Sequence, residues 1–586
     1  MDQFKHRIAA NVASLLEGIP AEEIRGLLEV PPGPAMGDLS LPCFKLSKAL
    51  RKSPTAIAEE LADGIQGGNR ENVIANVSAV SGYLNIRLDR TAAAREVLPG
   101  ILSSGENYGS QTAGEGKTIV IDFSSPNIAK PFHVGHLRST VIGAALYRIF
   151  NFLGYRCVGI NHLGDWGTQF GKLITAYRRW GDSAKLEQGA IDELLGLYVR
   201  FHEEAERDPA LEEEARAWFA KMERGDEEAL ALWRKFVDVS LAEFAKIYEL
   251  LGVTFDFVTG ESFYNDRMGP VIQELKQKGL LVEDQGAWLV RLDDYDMAPA
   301  LMLKQDGSSL YHTRDVAAAI YRKDTYDFHK AIYVTDYSQS LHFRQWFKVV
   351  ELMGYDWAQD LVHVPFGRVS LEGASLSTRK GNVVKLEELL TQAISKIGEI
   401  IESKNPGLAH KEEVARQVGV GAVIFNDLSG NRIKDIEFSW EDALSFEGET
   451  GPYVQYTYAR ASSVLRKGAG RQEQAALSPE YPDGNGTNVE PDNAFDSLTG
   501  EAEFALVKQL SLFPEKVEQA AAKLEPSIVT RYLVDAAQAF NRFYHDCPIL
   551  TEDRALRSAR LALVQCVQIT LRNGLSLIGL KFPEEM

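Results

Sequence analysis

The sequence predicts a multidomain protein of mixed α/β and all-α class. It has a central α/β domain with a parallel sheet, an N-terminal α+β unit and a C-terminal all-helical domain. Three observations predict it. The run TIVIDF (118–123) is short and almost continuously apolar, as in a parallel strand buried on both faces. After it, Val134, Leu137, Val141, Ala145, Ile149 and Phe152 recur at three- and four-residue steps, the signature of a long helix. From about residue 385 helical periodicity runs to the end of the chain.

The elements follow in order. Helical patterns cover Phe4–Leu16 and Leu46–Ala62, and alternation in 72–80 and 83–89 predicts strands. The Gly- and Ser-rich segment 103–117 reads as a linker, so the first domain spans 1–115. Gly154 stands where the long helix should end, and 156–163 is a second strand. This strand–helix–strand unit opens a Rossmann-like domain over 116–384. Acidic helices interrupt it at about 175–290, their charge suiting a solvated face. Strand and helix alternate again through AIYVTD (331–336), Ser338–Met353 and LVHVPFGRV (361–369). The third domain, 385–586, is helical apart from a Gly-, Pro- and Asn-rich stretch at 467–493, read as an exposed loop.

Composition narrows the function classes. The 586 residues carry 63 Lys and Arg against 82 Asp and Glu, a net charge of −19, so the chain is no general polyanion binder. Any nucleic-acid contact must gather basic groups locally. No apolar run approaches the roughly 18 residues of a membrane span. The amphipathic start, with Asp2 and Glu17, lacks a secretory core, so a cytoplasmic protein is expected. Cys43, Cys157, Cys547 and Cys566 lack metal-knuckle spacing, so reduced thiols and no zinc are expected.

The chemistry concentrates in FSSPNIAKPFHVGHLRST (123–140), where the first strand hands over to the first helix. Such a junction binds phosphates through free N–H groups and the helix dipole. His133 and His136 share one face of the helix start, and Gly135 lets a flat base approach the backbone. Chance would give His-x-Gly-His roughly 0.02 times in a chain of this composition. A zinc pair is the other reading, but the spacing is three and no third ligand is evident.

These residues resemble the HIGH signature of class I aminoacyl-tRNA synthetases. SPNIAKPFHVGHLRST together with NHLGDWGTQFGKL (161–173) is similar to the form found in arginyl-tRNA synthetases, and the likeness extends over essentially the whole chain. It implies an arginine–tRNA ligase that uses ATP with Mg2+, L-arginine and tRNA(Arg), with a class I Rossmann-like catalytic domain and activation that depends on tRNA. A monomer is expected. It also implies a D-loop-binding N-terminal domain and a DALR-type anticodon-binding domain, the latter ending in Asp553–Arg557. A cysteinyl or class I lysyl enzyme, or a silent tRNA-binding homologue, is the alternative.

The resemblance also implies site residues. The second class I signature, KMSKS, has a decoy at Lys45–Ala49, in the wrong domain. Its better match is Ser375–Gly381, where Thr378 stands in place of the phosphate-binding lysine. The implied catalytic set is therefore His133, His136 and Lys130, with Ser377, Arg379 and Lys380 of that loop. Gly135 and Val369 join His133, His136 and Lys130 at ATP. The pattern Y-x-T-R-D gives Tyr311 and Asp315 to the substrate guanidinium, and Glu261 resembles a further carboxylate of that pocket. Thr313 looks like an N-cap, so Asp315 also fits as a complement to the helix dipole. Asp122, Ser125, Asn127 and Gln339 match positions facing the α-amino and carboxylate groups, though Ser and Asn beside Pro126 equally fit a turn. Asp165 and Gln169 line the cleft or form a plain turn. For tRNA the implied surfaces are Tyr83, Asn85 and Arg87 on one strand face, and Tyr453, Tyr456, Tyr458, Arg460 and Arg466 in the helical domain. An ordinary aromatic core is the alternative for any one tyrosine.

Overall fold

The structure, a computed structural model, describes residues 1–33, 36–67, 72–304, 311–371, 384–468 and 494–586. Among these no helix is long and apolar enough to cross a membrane.

Alternation builds the N-terminal sheet. Strands β1 (Leu39–Pro42), β2 (Ile74–Val80) and β3 (Tyr83–Leu88) pair antiparallel in the order β1-β3-β2. Leu84, Ile86 and Leu88 are buried, which turns Tyr83, Asn85 and Arg87 to the other face. The helix expected over Leu46–Ala62 is two pieces, Ser47–Leu50 and Pro54–Gln66. Arg51 adopts φ 51°, and Ser53 Oγ accepts the Ala56 N–H at 3.2 Å with Pro54 at the first helical position, so a fresh start signal overrides the apolar period.

The segment expected as a linker is held. Asp89 caps the helix Arg90–Ser104 through the Ala92 N–H, and that helix packs on Glu501–Ser511 and Arg554–Leu577 near the far end of the chain. Tyr108 donates to the Leu510 carbonyl at 2.9 Å, and Asn573 donates to the Gly105 and Tyr108 carbonyls. The N-terminal unit therefore docks on the C-terminal helices.

The central sheet contains β4 (Thr118–Asp122), β5 (Arg156–Asn161), β6 (Phe257–Val258), β10 (Phe328–Asp336) and β11 (Leu361–Phe366), all parallel. Its order is β11-β10-β4-β5-β6. The residues of β4 are buried on both faces, as the apolar run requires. The helix Val134–Phe152 ends at Gly154, which takes φ +83°. The insertion holds four long helices, Thr168–Trp180, Ser183–Ala205, Ala210–Glu223 and Glu227–Leu251. It also holds strands the sequence reading did not anticipate: β7 (Leu281–Asp284) and β8 (Ala287–Val290) pair antiparallel, with β9 (Ala300–Leu303) beyond.

Past the sheet, β12 (Val369–Leu371) pairs in parallel with β13 (Ile436–Phe438). This short ladder breaks the all-helical expectation after 385 and ties the α/β domain to the helices Leu386–Lys404, Lys411–Ser429, Gly451–Gly468, Glu501–Ser511, Phe513–Lys523, Ser527–Asp546 and Arg554–Leu577. Most of the stretch expected as a loop at 467–493 lies outside the described residues.

Candidate active site

Chain order runs outward from β4 in both directions, to β5 on one side and to β10 on the other. Crossovers therefore diverge at the carboxyl end of β4 and leave a crevice there, the usual ligand position of such sheets. The loop that enters the crevice is backbone-strained. Ser124, Ser125 and Ala129 have φ of 70°, 50° and 60°. Three side chains hold it: Ser139 Oγ and Asn161 Oδ1 accept the Ser124 and Ser125 N–H groups at 2.9 and 3.2 Å, and Ser240 Oγ, from the insertion, accepts the Ala129 N–H at 3.0 Å.

The two histidines form a reciprocal cap at the helix start. His133 Nδ1 accepts the Gly135 N–H at 3.0 Å, and His136 Nδ1 accepts the His133 N–H at 3.1 Å. Their rings stack with centroids 3.8 Å apart. A Cβ on Gly135 would lie 2.8 Å from the His133 ring, so glycine makes room for the stacked imidazole. Burial, reinforced by the Lys130 charge, pushes His133 down to about 4. Burial, with His133 and Lys130 nearby, holds His136 well below the ordinary imidazole range. Both rings are therefore neutral near pH 7. Since both Nδ1 atoms accept, both Nε2 atoms carry the proton and donate. The pair supplies hydrogen bonds and no charge. Lys130 is exposed and makes no hydrogen bond or ion pair among the described residues.

Residues Ser377, Arg379 and Lys380 lie outside the described residues. The chain on either side of them is fixed. Val369 is buried in β12, and beyond the gap Val384 and Leu386 bond to the histidine segment: Val134 N–H donates to the Val384 carbonyl at 3.3 Å and Leu386 N–H to the Phe132 carbonyl at 3.0 Å. Lys385 pairs with Asp192 of the insertion at 2.8 Å.

A second cluster gathers carboxylates. Asp165 is buried and accepts the Ser262 N–H and hydroxyl at 2.8 and 2.6 Å. Glu261 meets Arg314 Nη1 at 3.3 Å. Burial pushes Glu261 up to about 7; Arg314 opposes the rise, while Asp315 and Asp165 add to it. Asp315 Oδ2 lies 2.6 Å from His342 Nε2. Asp122 Oδ2 lies 2.7 Å from the fully buried Arg322, and its Oδ1 accepts the Ser125 hydroxyl at 2.9 Å. His162, between these groups, feels Asp122, Arg322, Asp315 and Asp165 together. Asp165 and Asp315 thus lie within electrostatic reach of Glu261, with Arg314 as its paired cation, an arrangement that favours an incoming cation.

The helix Tyr311–Tyr326 corrects one expectation. Thr313 is not an N-cap; it is buried inside the helix and donates to the Met302 carbonyl at 2.6 Å. Asp315 lies beyond the first turn, which removes the dipole reading. Tyr311, at the helix start, is 64% exposed. Asn127 and Gln339 are exposed, with Asn127 bridged to the Gly164 backbone. Gln169 donates weakly to the Trp166 carbonyl at 3.4 Å. His162, Arg314, Arg322 and His342 were missed. His162 had a signal, its place at the carboxyl end of β5. Arg314 and Arg322 are two turns apart on an otherwise apolar helix face, a pattern that also marks a buried pairing.

The remote surfaces separate the tyrosines. Tyr458 is buried against Phe582, so it belongs to the core. Tyr453 is half-buried, its hydroxyl accepting from Asn541 at 2.9 Å. Tyr456 is exposed, with the Arg460 guanidinium over its ring at 4.8 Å and over the Tyr544 ring at 5.4 Å. These three line a cleft of about 790 Å³. Arg466 pairs with Glu584 and Glu585. In the N-terminal sheet Tyr83 is exposed beside Phe44, and Asn85 accepts the Ser40 hydroxyl at 2.8 Å.

Comparison with known proteins agrees along the chain. The family described as arginyl tRNA synthetase N terminal domain matches residues 2–88. Class I (R) tRNA synthetase catalytic domain matches 97–440, and DALR anticodon binding domain matches 454–586. A relative named arginine–tRNA ligase from Alkaliphilus metalliredigens is 56% identical over 586 residues, covering 100% of both chains. One of the same name from Clostridioides difficile is 51% identical over the same length and coverage. The solved Thermus thermophilus arginyl-tRNA synthetase superposes with a TM-score of 0.80 at 29% identity, covering 99% of this chain and 100% of that one. With three family models in register and half or more of the positions shared over full length, the chain belongs to the arginyl-tRNA synthetases, the arginine–tRNA ligases of class I.

Proposed function

We propose that the cleft activates L-arginine with ATP and passes the arginyl group to tRNA(Arg). The observation that carries this reading is the gathering of Asp165, Glu261 and Asp315, in a domain whose helix start also holds two neutral histidines with their Nε2 donors free of the cap. A planar guanidinium with five N–H groups matches the first set. Phosphate oxygens match the second.

The arginine carboxylate attacks the α-phosphorus in line, the bond to the β-phosphate oxygen breaks, and pyrophosphate leaves. The terminal ribose hydroxyl of tRNA then takes the arginyl group and releases AMP. No side-chain nucleophile is needed, so the residues orient and stabilise. His133 and His136 donate through Nε2 to the phosphates. Lys130 supplies the charge that the histidines lack and that Thr378 cannot give, with Ser377, Arg379 and Lys380 of the neighbouring loop and Gly135 and Val369 beside the nucleotide. Ser125, its hydroxyl held by Asp122, acts with Asn127 and Gln339 on the α-ammonium and carboxylate. Tyr311, Asp315 and Glu261 take the guanidinium. Magnesium enters as part of the substrate Mg-ATP; among the described residues no group of three His, Cys, Asp or Glu side chains could hold a metal ion.

The tRNA is held at both ends of the chain, by Tyr83, Asn85 and Arg87 of domain 1–115 and by Tyr453, Tyr456 and Arg460 of domain 385–586. The enzyme works as a cytoplasmic monomer, and activation waits for tRNA. Pyrophosphate exchange tests this directly. Exchange with arginine, absent with lysine or cysteine and present only with tRNA(Arg), supports the whole reading. Exchange without tRNA removes the coupling, and no exchange with any amino acid refutes the reading.

A further inference from the structure

We infer that His342 is a positioning residue for guanidinium recognition: by gripping one oxygen of Asp315 it leaves the other, correctly turned, for the substrate. The inference rests on reading Asp315 as the guanidinium carboxylate.

The geometry is specific. His342 Nε2 lies 2.6 Å from Asp315 Oδ2, joining the first turn of the helix Ser340–Leu352 to the helix Tyr311–Tyr326. Asp315 Oδ1 accepts no hydrogen bond among the described residues. A free carboxylate turns easily about its last torsion, so an unheld Asp315 would present either oxygen at many angles. The imidazole removes that freedom, which matters because planar recognition of a guanidinium depends on angle.

His342 is itself braced. Its ring packs on His312 at 4.5 Å between centroids. His312 stands between the Leu301 carbonyl at 3.1 Å and Gln345 Oε1 at 3.3 Å. The Gln345 amide is fixed in turn, donating to the Ala298 carbonyl at 2.8 Å. A chain of side chains therefore runs from the backbone beside β9 through Gln345, His312 and His342 to Asp315. A purely structural cross-link between two helices would need no such alignment at the pocket end.

The test is aminoacylation of tRNA(Arg) with KM measured separately for arginine and ATP. His342→Phe keeps a flat ring and removes the donor; His342→Gln returns an N–H near the Nε2 position; His342→Asn carries the same amide one carbon short. Asp315→Asn checks the pocket itself. Losing a hydrogen bond to a charged group is worth roughly a ten- to hundredfold change. We expect the Phe and Asn variants to raise the arginine KM by about that factor with ATP KM nearly unchanged, and Gln to recover most of it. Should the Phe variant fail to fold, the Gln–Asn contrast carries the same comparison. An unchanged arginine KM in the His342 variants, with Asp315→Asn strongly impaired, overturns the inference. Equal changes in both KM values also overturn it. If Asp315→Asn itself leaves the arginine KM unchanged, the pocket reading fails and takes the inference with it.

Discussion

Arg138 and Asp427 form a buried ion pair, Nε to Oδ1 at 3.4 Å, between the helix that carries the histidines and a helix of the C-terminal domain. The same guanidinium donates to the Gly367 carbonyl at 3.0 Å and the Lys434 carbonyl at 2.7 Å. One side chain thus joins the histidine helix, the approach to β12, the segment before β13 and the helical domain. Removing one partner of such a pair costs about 3–5 kcal/mol. Arg138→Ala should therefore lower unfolding stability by about that amount, and Asp427→Asn, which keeps an acceptor, by less. Burial pushes Asp427 up to about 6 against the pull of Arg138. A raised carboxylate favours the folded state while it is protonated, so this contribution is full below about pH 4 and is lost as pH rises through 6. Asp427→Asn should flatten that part of the stability–pH curve in denaturant titrations.

Because His133 and His136 are neutral, kcat should not titrate through either ring between pH 6 and 8. With His133 at about 4, its protonation and the loss of tautomer order come only in acid. Removing one preorganised donor typically costs 10²–10³-fold in kcat. His136→Ala should fall by about that factor, and His136→Gln, with an amide N–H near Nε2, by less. Pyrophosphate exchange across pH reads both effects.

Glu261 gives arginine binding a pH dependence of definite sign. It stands at about 7 and must be ionised to meet a guanidinium. Arginine affinity should fall as pH drops through 7, and binding at pH 6.5 should release protons, seen as a buffer-dependent calorimetric heat. In Glu261→Gln the affinity should be lower and the pH dependence lost.

The outer helical surface offers a salt-sensitive test. Arg460 contacts the rings of both Tyr456 and Tyr544. Tyr456→Ala should weaken tRNA by about 1–3 kcal/mol through lost stacking. Arg460→Ala should reduce the salt slope of tRNA binding by about one. Neither should alter the KM for ATP.

Local signals wrote much of this fold. The buried run of β4, the Gly154 stop and the alternation of β3 all stand where the pattern required. The Ser53–Pro54 start was equally local, but a longer apolar period masked it. The small β7–β9 sheet and the β12–β13 ladder were less legible, because three- and four-residue strands carry too little period, and β12 gains its stability from a partner distant in sequence. At the site, the His-Gly-His spacing was legible while its consequence was not. That both rings are neutral donors follows from which backbone N–H groups meet Nδ1, a three-dimensional fact. Likewise Arg314, Arg322 and His342 acquire meaning only where tertiary packing brings them to Glu261, Asp122 and Asp315.

The central claim is that uncompensated carboxylates select a charged guanidinium. Citrulline, which has nearly the same shape and no charge, tests it most directly in aminoacylation of tRNA(Arg). It would leave buried acceptors facing a neutral ureido group, so the account predicts a kcat/KM for arginine roughly 10⁴-fold or more above that for citrulline. Comparable charging of the two amino acids would contradict it.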